Sequence, residues 1–309
     1  MGMRDLRYFG VIGFEVGLIF AKIKNLILYN RLSDIKYLTK RFENAHNYSL
    51  NISEPTSLNE KLQWLKLNDK RQLLVQHADK LAVRDYVRNQ FGEDYLIPLF
   101  KVFNSYKEIR TENLPDEPFI IKTTHDSGNF HIVKDKFQVN WNIIRADMHW
   151  ALRRNYYWID REWQYGEIEP KIIVEKLLQD EGKIPNDYKF NCFNGKVEFI
   201  YVSVDREGIN KRNIYSRDWE PLLFTWAKKY KNHKELRGPE IEPPLNFEKM
   251  IEIAEKVAEN YDYVRVDLYN INGQIFFGEI THCHGGGFDQ IQPEEWDFRL
   301  GEKLKIGTT

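Results

Sequence analysis

Cysteine is scarce in this 309-residue chain, with only Cys192 and Cys283 present. Two thiols make no disulfide framework and lack the paired spacing of a zinc ribbon, so a reducing compartment such as the cytoplasm is the simplest setting. Excess charge is also missing: 45 Lys and Arg against 46 Asp and Glu leave a net charge of −1. No global field draws such a chain to nucleic acid, which is not expected among its partners. There is no internal repeat and no low-complexity linker. No G-x-G-x-x-G follows a strand pattern and no G-x-x-x-x-G-K-[ST] occurs, which disfavours Rossmann and P-loop nucleotide sites. The absence of a D-x-D motif counts against a nucleotide-sugar transferase. An uninterrupted apolar run is missing too. Residues 9–29, FGVIGFEVGLIFAKIKNLILY, are broken by Glu15, Lys22 and Lys24, which makes a poor membrane span and a poor signal peptide. Two readings of this stretch stand: an amphipathic helix lying on a partner or on a membrane, such as the inner face of the plasma membrane, and an ordinary helix packed on the protein.

What is present is a globular composition, with 42% hydrophobic and 29% charged residues and aromatics at 14%. Rings suit the apolar faces of sugars, and they also fill cores. The aromatic segments at 141–165 and 213–230 are the places to look for sugar contacts. Helical patterns come first along the chain. Residues 31–45 read as a polar helix. TSLNEKLQWLKLN at 56–68 opens with a capping box of Ser57 and Glu60, and HADKLAVRDYVRNQFG at 77–92 ends on Gly92. Strands then mix with helices. YLIPLFKVF at 95–103 and KIIVEKLL at 171–178 read as strands, and 141–156 as a helix. Two hairpins turn on Asn194-Gly195 and Asn272-Gly273, separated by an amphipathic helix at 246–261. This order predicts an α+β fold rather than a doubly wound parallel sheet. The expected division is an N-terminal helical segment over 1–50, a first lobe over 51–170 and a second over 171–309.

The second hairpin carries the clearest chemistry. Asp267 and Glu279 stand on its two arms, so two carboxylates can meet on one face and bind a hard divalent cation. Arg265 precedes Asp267 by two residues on the same strand face and is a candidate for a phosphate or a developing oxyanion; the bland reading is a salt bridge. THCHGGGF follows, and Gly285, Gly286 and Gly287 permit close backbone approach to an anion. Zinc at His282, Cys283 and His284 is the rival, without a second ligand pair of matching spacing. Lys122 closes the strand pattern FIIK ahead of the loop TTHDSGN, with His125, Ser127 and Gly128, a setting for a nucleotide phosphate. Lys189 in DYKF alternates with Tyr188 and Phe190 and so faces a polar side. Glu175 and Lys176 followed by Leu177 and Leu178 offer backbone groups and apolar walls to an adenine edge. Arg212 and Arg217 are candidates for stabilising a phosphoryl group.

Taken in order, SLNEKLQWLKLNDKR, ADKLAVRDYV, FIIKTTHDSGN, IIVEKLL, DYKFNCFNGK, VRVDLY and FFGEITHCHGGGFD resemble the ATP-grasp enzymes. Within them the chain resembles the TupA-like group associated with bacterial teichuronopeptide and other surface-polysaccharide synthesis, over most of its length beyond residue 55. The resemblance implies two α+β lobes with ATP held between them, preceded by N-terminal helices. It implies that Lys122 and Lys189 contact ATP phosphates, that Glu175 to Leu178 read adenine, and that Asp267 and Glu279 bind Mg2+. Many ATP-grasp proteins carry an asparagine ligand two residues after the second carboxylate; here that position is Thr281, expected in the metal set through its hydroxyl, with water or His282 as the alternatives. The implied chemistry joins a carboxylate to an amine through an acylphosphate, with a uronic acid and an amino acid or amine as partners and Lys189, Arg212 and Arg265 as catalytic cations. Two alternatives stand beside it: a kinase or glycosyltransferase of the same pathway, and an ATP-binding scaffold at the membrane.

Overall fold

The computed structural model describes residues 32–204, 211–228 and 236–308; the stretch 9–29 lies outside them. Along the chain the helices are α1 (Asp34–Ala45), α2 (Leu58–Asn68), α3 (Gln72–Ala78), α4 (Val83–Phe91), α5 (Trp141–Arg153), α6 (Tyr157–Asp160), α7 (Gln164–Glu167), α8 (Phe247–Ala258) and α9 (Glu295–Lys303). The strands are β1 (Leu99–Phe103), β2 (Phe119–Thr123), β3 (Phe130–Val133), β4 (Ile172–Lys176), β5 (Asp187–Phe193), β6 (Lys196–Val204), β7 (Lys211–Ser216), β8 (Thr225–Ala227), β9 (Tyr263–Ile271), β10 (Gln274–Thr281) and β11 (Gln290–Gln292). The segment read as one helix over 77–92 is broken at 79–82, where the Asp79 carboxylate accepts from the Leu81 N–H at 2.8 Å and draws the chain into a turn.

The chain forms two compact units. The first takes residues 72–86 and 97–178. Its sheet has the order β1-β4-β2-β3 and is antiparallel throughout. Phe119, Ile121, Ile172 and Val174 bury one face against Ile144 and Met148 of α5. Alternation then turns Lys122 and Glu175 to the other face. Because β4 is an inner strand of this sheet, the chain leaves the unit after Leu178, later than the break at residue 170 read from the sequence.

The second unit takes residues 35–71, 87–96 and 179 onward. Its sheet has the order β10-β9-β5-β6-β7, again antiparallel. Both hairpins turn as their Asn-Gly pairs predict, with positive φ at Asn194 (48°), Gly195 (84°), Asn272 (51°) and Gly273 (87°). One face packs on α8, where Phe190 stacks on Phe247 and the Cys192 thiol approaches the Ala254 carbonyl. The opposite face is divided. Phe193, Phe199 and Tyr263 join Leu58 and Leu62 of α2 and Leu300 of α9 in an apolar core, while the other end of the same strands carries charge. The capping box predicted at α2 is present: Ser57 Oγ accepts from the Glu60 N–H at 3.1 Å, and Glu60 Oε2 accepts from the Ser57 N–H at 3.0 Å.

Two buried histidines make the fold acid-sensitive. Burial pushes His46 and His77 down to about 4. Unfolded, each ionises near 6.5, so between roughly pH 6.5 and pH 4 the unfolded chain binds more protons and stability is lost as pH falls. At pH 5 the cost is about 2 kcal/mol per histidine relative to pH 8. The urea midpoint should therefore drop clearly between pH 8 and pH 5, and each of His46→Gln and His77→Gln should flatten that profile; equal midpoints at both pH values would refute neutral burial.

Candidate active site

On the charged face of the second unit the registers align one row across four strands. Glu279 pairs with Asp267, Asp267 with Lys189, and Lys189 with Tyr201. In the next row Thr281 pairs with Arg265 and Arg265 with Asn191. On the far side, Asp187 pairs with Ser203 and Ser203 with Arg212. Asp267, Glu279, Lys189, Arg265, Thr281 and Arg212, all proposed from the sequence, thus share one face. Arg217 does not join them; its Nε lies 3.4 Å from Glu255 of α8.

Glu279 reaches that face only because β10 is irregular. A regular hairpin on Asn272-Gly273 pairs residues whose numbers sum to 545, as Phe277 with Leu268 does, and would set Glu279 against Val266 on the α8 face. A bulge between Phe277 and Glu279 absorbs one residue and brings Glu279 beside Asp267. The inserted residue is Gly278, where a Cβ would stand 2.9 Å from the Asp267 carbonyl oxygen and 3.2 Å from Tyr269. A glycine inside a strand pattern was the available sign of this bulge.

The charges on this face are tightly paired. Arg265 donates from Nε to Asp267 Oδ1 at 2.7 Å and from Nη2 to Asp267 Oδ2 at 2.8 Å and Glu279 Oε1 at 3.0 Å. Its Nη1 donates to His284 Nδ1 at 2.9 Å. These bonds take four of its five N–H donors and orient both carboxylates. Lys189 donates to Asp267 Oδ2 at 2.7 Å and closely to Asp187. Asp187 is the acid that motif reading passed over, although it stands two residues before Lys189 on one strand face. Burial alone would raise the Asp267 carboxyl, but the Arg265 guanidinium and Lys189 ammonium outweigh it and hold the group below its usual range. Burial would likewise lower Lys189, yet Asp187 and Asp267 hold it above the ordinary lysine value. His284 is driven well below the ordinary imidazole range by burial and then by Arg265, so it is neutral and its Nδ1 accepts. Its ring lies 4.0 Å from that of Trp226, a fully buried side chain. In the Gly285–Gly287 loop, Gln63 and Lys66 donate to the Gly286 carbonyl at 3.1 and 2.7 Å, and the Gly286 N–H is taken by the Cys283 carbonyl.

In the first unit, Lys122 Nζ lies 2.6 Å from Glu175 Oε2, and Arg84 Nη1 donates to Glu175 Oε1 at 2.9 Å. Glu175 therefore orients two cations with its side chain. The Lys176 and Leu177 N–H groups donate to the Pro98 and Pro118 carbonyls at 2.9 and 3.0 Å. These two N–H groups are therefore not available to an adenine edge. His125 is turned elsewhere: it is 1% exposed, and its Nε2 donates to the Ala151 and Arg154 carbonyls at the end of α5, at 3.1 and 3.2 Å. Ser127 and Gly128 are exposed in the loop after Lys122. That loop is organised by Asp126, which accepts from Thr123 Oγ1 at 2.5 Å and closely from Asn129.

The TupA-like ATPgrasp family model matches residues 60–305. The chain belongs to this family. Its fold is accordingly the α+β ATP-grasp fold. A search of curated proteins gave no match. Among solved structures, the chain is similar to D-alanine–D-alanine ligase from Bacillus anthracis complexed with ATP, at 14% identity and a TM-score of 0.37, covering 67% of this chain and 54% of that one. It is similar to D-alanine–D-alanine ligase from Helicobacter pylori at 15% identity and a TM-score of 0.42, covering 81% and 70%. A third is the ADP complex of N5-carboxyaminoimidazole ribonucleotide synthetase, at 13% identity and a TM-score of 0.39, covering 73% and 51%. The chain thus spans little more than half of the first ligase. At these scores the family match carries the assignment.

The donor set of this ATP-grasp face fits a magnesium ion. Such an ion takes one or two protein carboxylates and fills its shell with phosphate and water. Asp267 Oδ1 has one protein donor and keeps a lone pair, and Glu279 is over a third exposed. Thr281 Oγ1 donates to Glu279 Oε1 at 3.3 Å and so steadies that carboxylate. Among the described residues no set of three His, Cys, Asp or Glu is arranged to hold a metal, which leaves the two-carboxylate arrangement. Gly278→Val should force the bulge apart, lower the thermal midpoint by several degrees and cut magnesium-dependent ATP turnover at least tenfold, since overpacking costs about 1–3 kcal/mol. Wild-type turnover in that variant would show that the bulge does not position Glu279.

Proposed function

We propose that this ATP-grasp protein is an ATP- and magnesium-dependent carboxylate–amine ligase, acting on a uronic acid of a bacterial surface polysaccharide with an amino acid or amine. The observation that carries the ligase reading is the Glu279–Asp267–Lys189 row, with Arg265 clamping both carboxylates, in a member of this family. Asp267 and Glu279 would hold Mg2+, which when bound neutralises charge on the transferring phosphoryl group. Lys189, fixed between Asp187 and Asp267, adds a permanent positive charge to the same face. Arg212 has a buried Nε without a hydrogen-bond partner, which suits it to a phosphoryl oxygen. In the first unit Lys122, oriented by Glu175, is the cation for a nucleotide phosphate, and the Leu178 N–H is the group for adenine.

The reaction runs in two steps. An oxygen of the substrate carboxylate attacks the γ-phosphorus, the bond to the bridging oxygen breaks, and ADP leaves. The amine nitrogen then attacks the acyl carbon, the carbon–oxygen bond to phosphate breaks, and the nitrogen gives up a proton as the amide forms. Preorganised cations lower the first barrier because they need no rearrangement as charge moves. The polysaccharide substrate follows from family association. The interfacial reading of residues 9–29 stands apart from the chemistry; among the described residues no helix is long and apolar enough to cross a membrane.

Glu279→Gln should abolish magnesium-dependent ATP turnover while leaving the thermal midpoint within a few degrees, and unchanged turnover would remove the metal assignment. In product analysis, ADP and phosphate should appear together only when both a uronate and an amine are supplied. A stable phosphosugar with ADP would instead identify a kinase.

A further inference from the structure

The segment from Trp150 to Tyr165 holds two arginines in matching settings. Arg161 lies over the rings of Tyr157 and Trp158, with its Cζ 5.1 and 4.8 Å from their centroids, and is 2% exposed. Its Nε faces a carboxylate, Asp34 Oδ1, at 3.4 Å. Arg154 lies over the rings of Trp150 and Tyr156, at 4.7 and 5.2 Å. It is half-buried; among the described residues no ion pair joins it to a carboxylate, and its Nε, like that of Arg161, has no hydrogen-bond partner. Burial is the largest influence on its pKa and lowers it, against weaker opposing effects of Asp126, Tyr156 and Asp160.

A half-buried guanidinium with no carboxylate in contact keeps N–H donors for a ligand. Two rings lie within cation–π distance of it, and its unpaired N–H groups are left to an acceptor. The rings also hold the fork in one orientation, which removes much of the entropy cost of engaging a carboxylate. We propose that Arg154, held between Trp150 and Tyr156, binds the carboxylate of an acidic sugar substrate, with the same aromatic residues offering apolar surface to the pyranose. The surroundings favour a singly charged carboxylate over a polyphosphate: one guanidinium faces the ligand, and Asp126 and Asp160 act on it electrostatically. The site is tied to the loop after Lys122, because Tyr156 hydrogen-bonds Ser127 and His125 donates to the Arg154 carbonyl at 3.2 Å. The second aromatic segment serves a different purpose. Trp226 is fully buried, and Tyr215 stacks on Trp219 at 4.4 Å. The proposal rests on the ligase reading for its substrate class, while binding of an acidic sugar stands independently of turnover.

The test is calorimetric titration of the full chain with trigalacturonate, with maltotriose as neutral control and with MgATP, for wild type, Arg154→Ala and Arg154→Lys. Wild type should bind trigalacturonate and not maltotriose. Arg154→Ala should weaken trigalacturonate at least tenfold with MgATP affinity within twofold of wild type. Arg154→Lys, which keeps the charge and loses the planar fork, should weaken it about threefold or more and covers the case in which the alanine variant does not fold. Absence of trigalacturonate binding to wild type, equal binding by wild type and the folded variants, or a parallel loss of MgATP affinity would each overturn the proposal; the last would make Arg154 a phosphate contact. Uronate binding through Arg154 without ATP consumption would leave this site standing and overturn the ligase reading instead.

Discussion

The Arg265 guanidinium is the constraint on which the second unit's chemistry depends. It bridges Asp267, Glu279 and His284 at 2.7–3.0 Å from one buried position. Two carboxylates side by side repel each other, and burial raises the cost of their charge. The guanidinium reverses both effects, which keeps Asp267 ionised without a bound cation. Removal of the buried Arg265 or Asp267 leaves the other uncompensated, at a typical cost of about 3–5 kcal/mol, whereas Glu279 is over a third exposed. The neutral His284 ring completes the arrangement: it accepts from Nη1 and is fixed by Trp226, so the orientation of Arg265 is built into the hydrophobic core.

The sheet supplies the rest. Alternation gives it one face for α8 and another that passes along the same strands from Phe193, Phe199 and Tyr263 to Lys189 and Asp267. The apolar end anchors the charged end, because each functional side chain is a few residues from one sealed under α2 or α9. The first unit repeats the plan on a smaller scale. Phe119, Ile121, Ile172 and Val174 bury one face, and Lys122 and Glu175 occupy the other, with Arg84 brought in from α4.

Most of this architecture is legible in the sequence where the signal is local. The Asn-Gly turns, the capping box at Ser57 and Glu60, and the alternation around Lys189 each depend on a few adjacent residues. What escapes sequence reading needs register or long-range contact. Parity along the second hairpin argues against Glu279 meeting Asp267, and only the Gly278 bulge resolves it. Arg84 lies 91 residues from Glu175, and no local pattern joins them. His125 and the three glycines after His284 carry polar, flexible signatures that suit a ligand, but the fold uses them for packing and for the end of α5. Arg217 and Arg212 look equivalent in sequence, but Arg212 lies within β7 while Arg217 lies in the turn just past it and meets Glu255.

Asp267 and Glu279, clamped by Arg265, are the proposed metal end of the ATP site. The most direct measurement is electron paramagnetic resonance of Mn2+, standing in for magnesium, titrated into the full chain with a non-hydrolysable ATP analogue. Wild type should convert free Mn2+ signal to a bound form, and Glu279→Gln and Asp267→Asn should each weaken this at least tenfold beyond binding by the analogue alone. Undiminished Mn2+ binding in both variants would contradict the assignment.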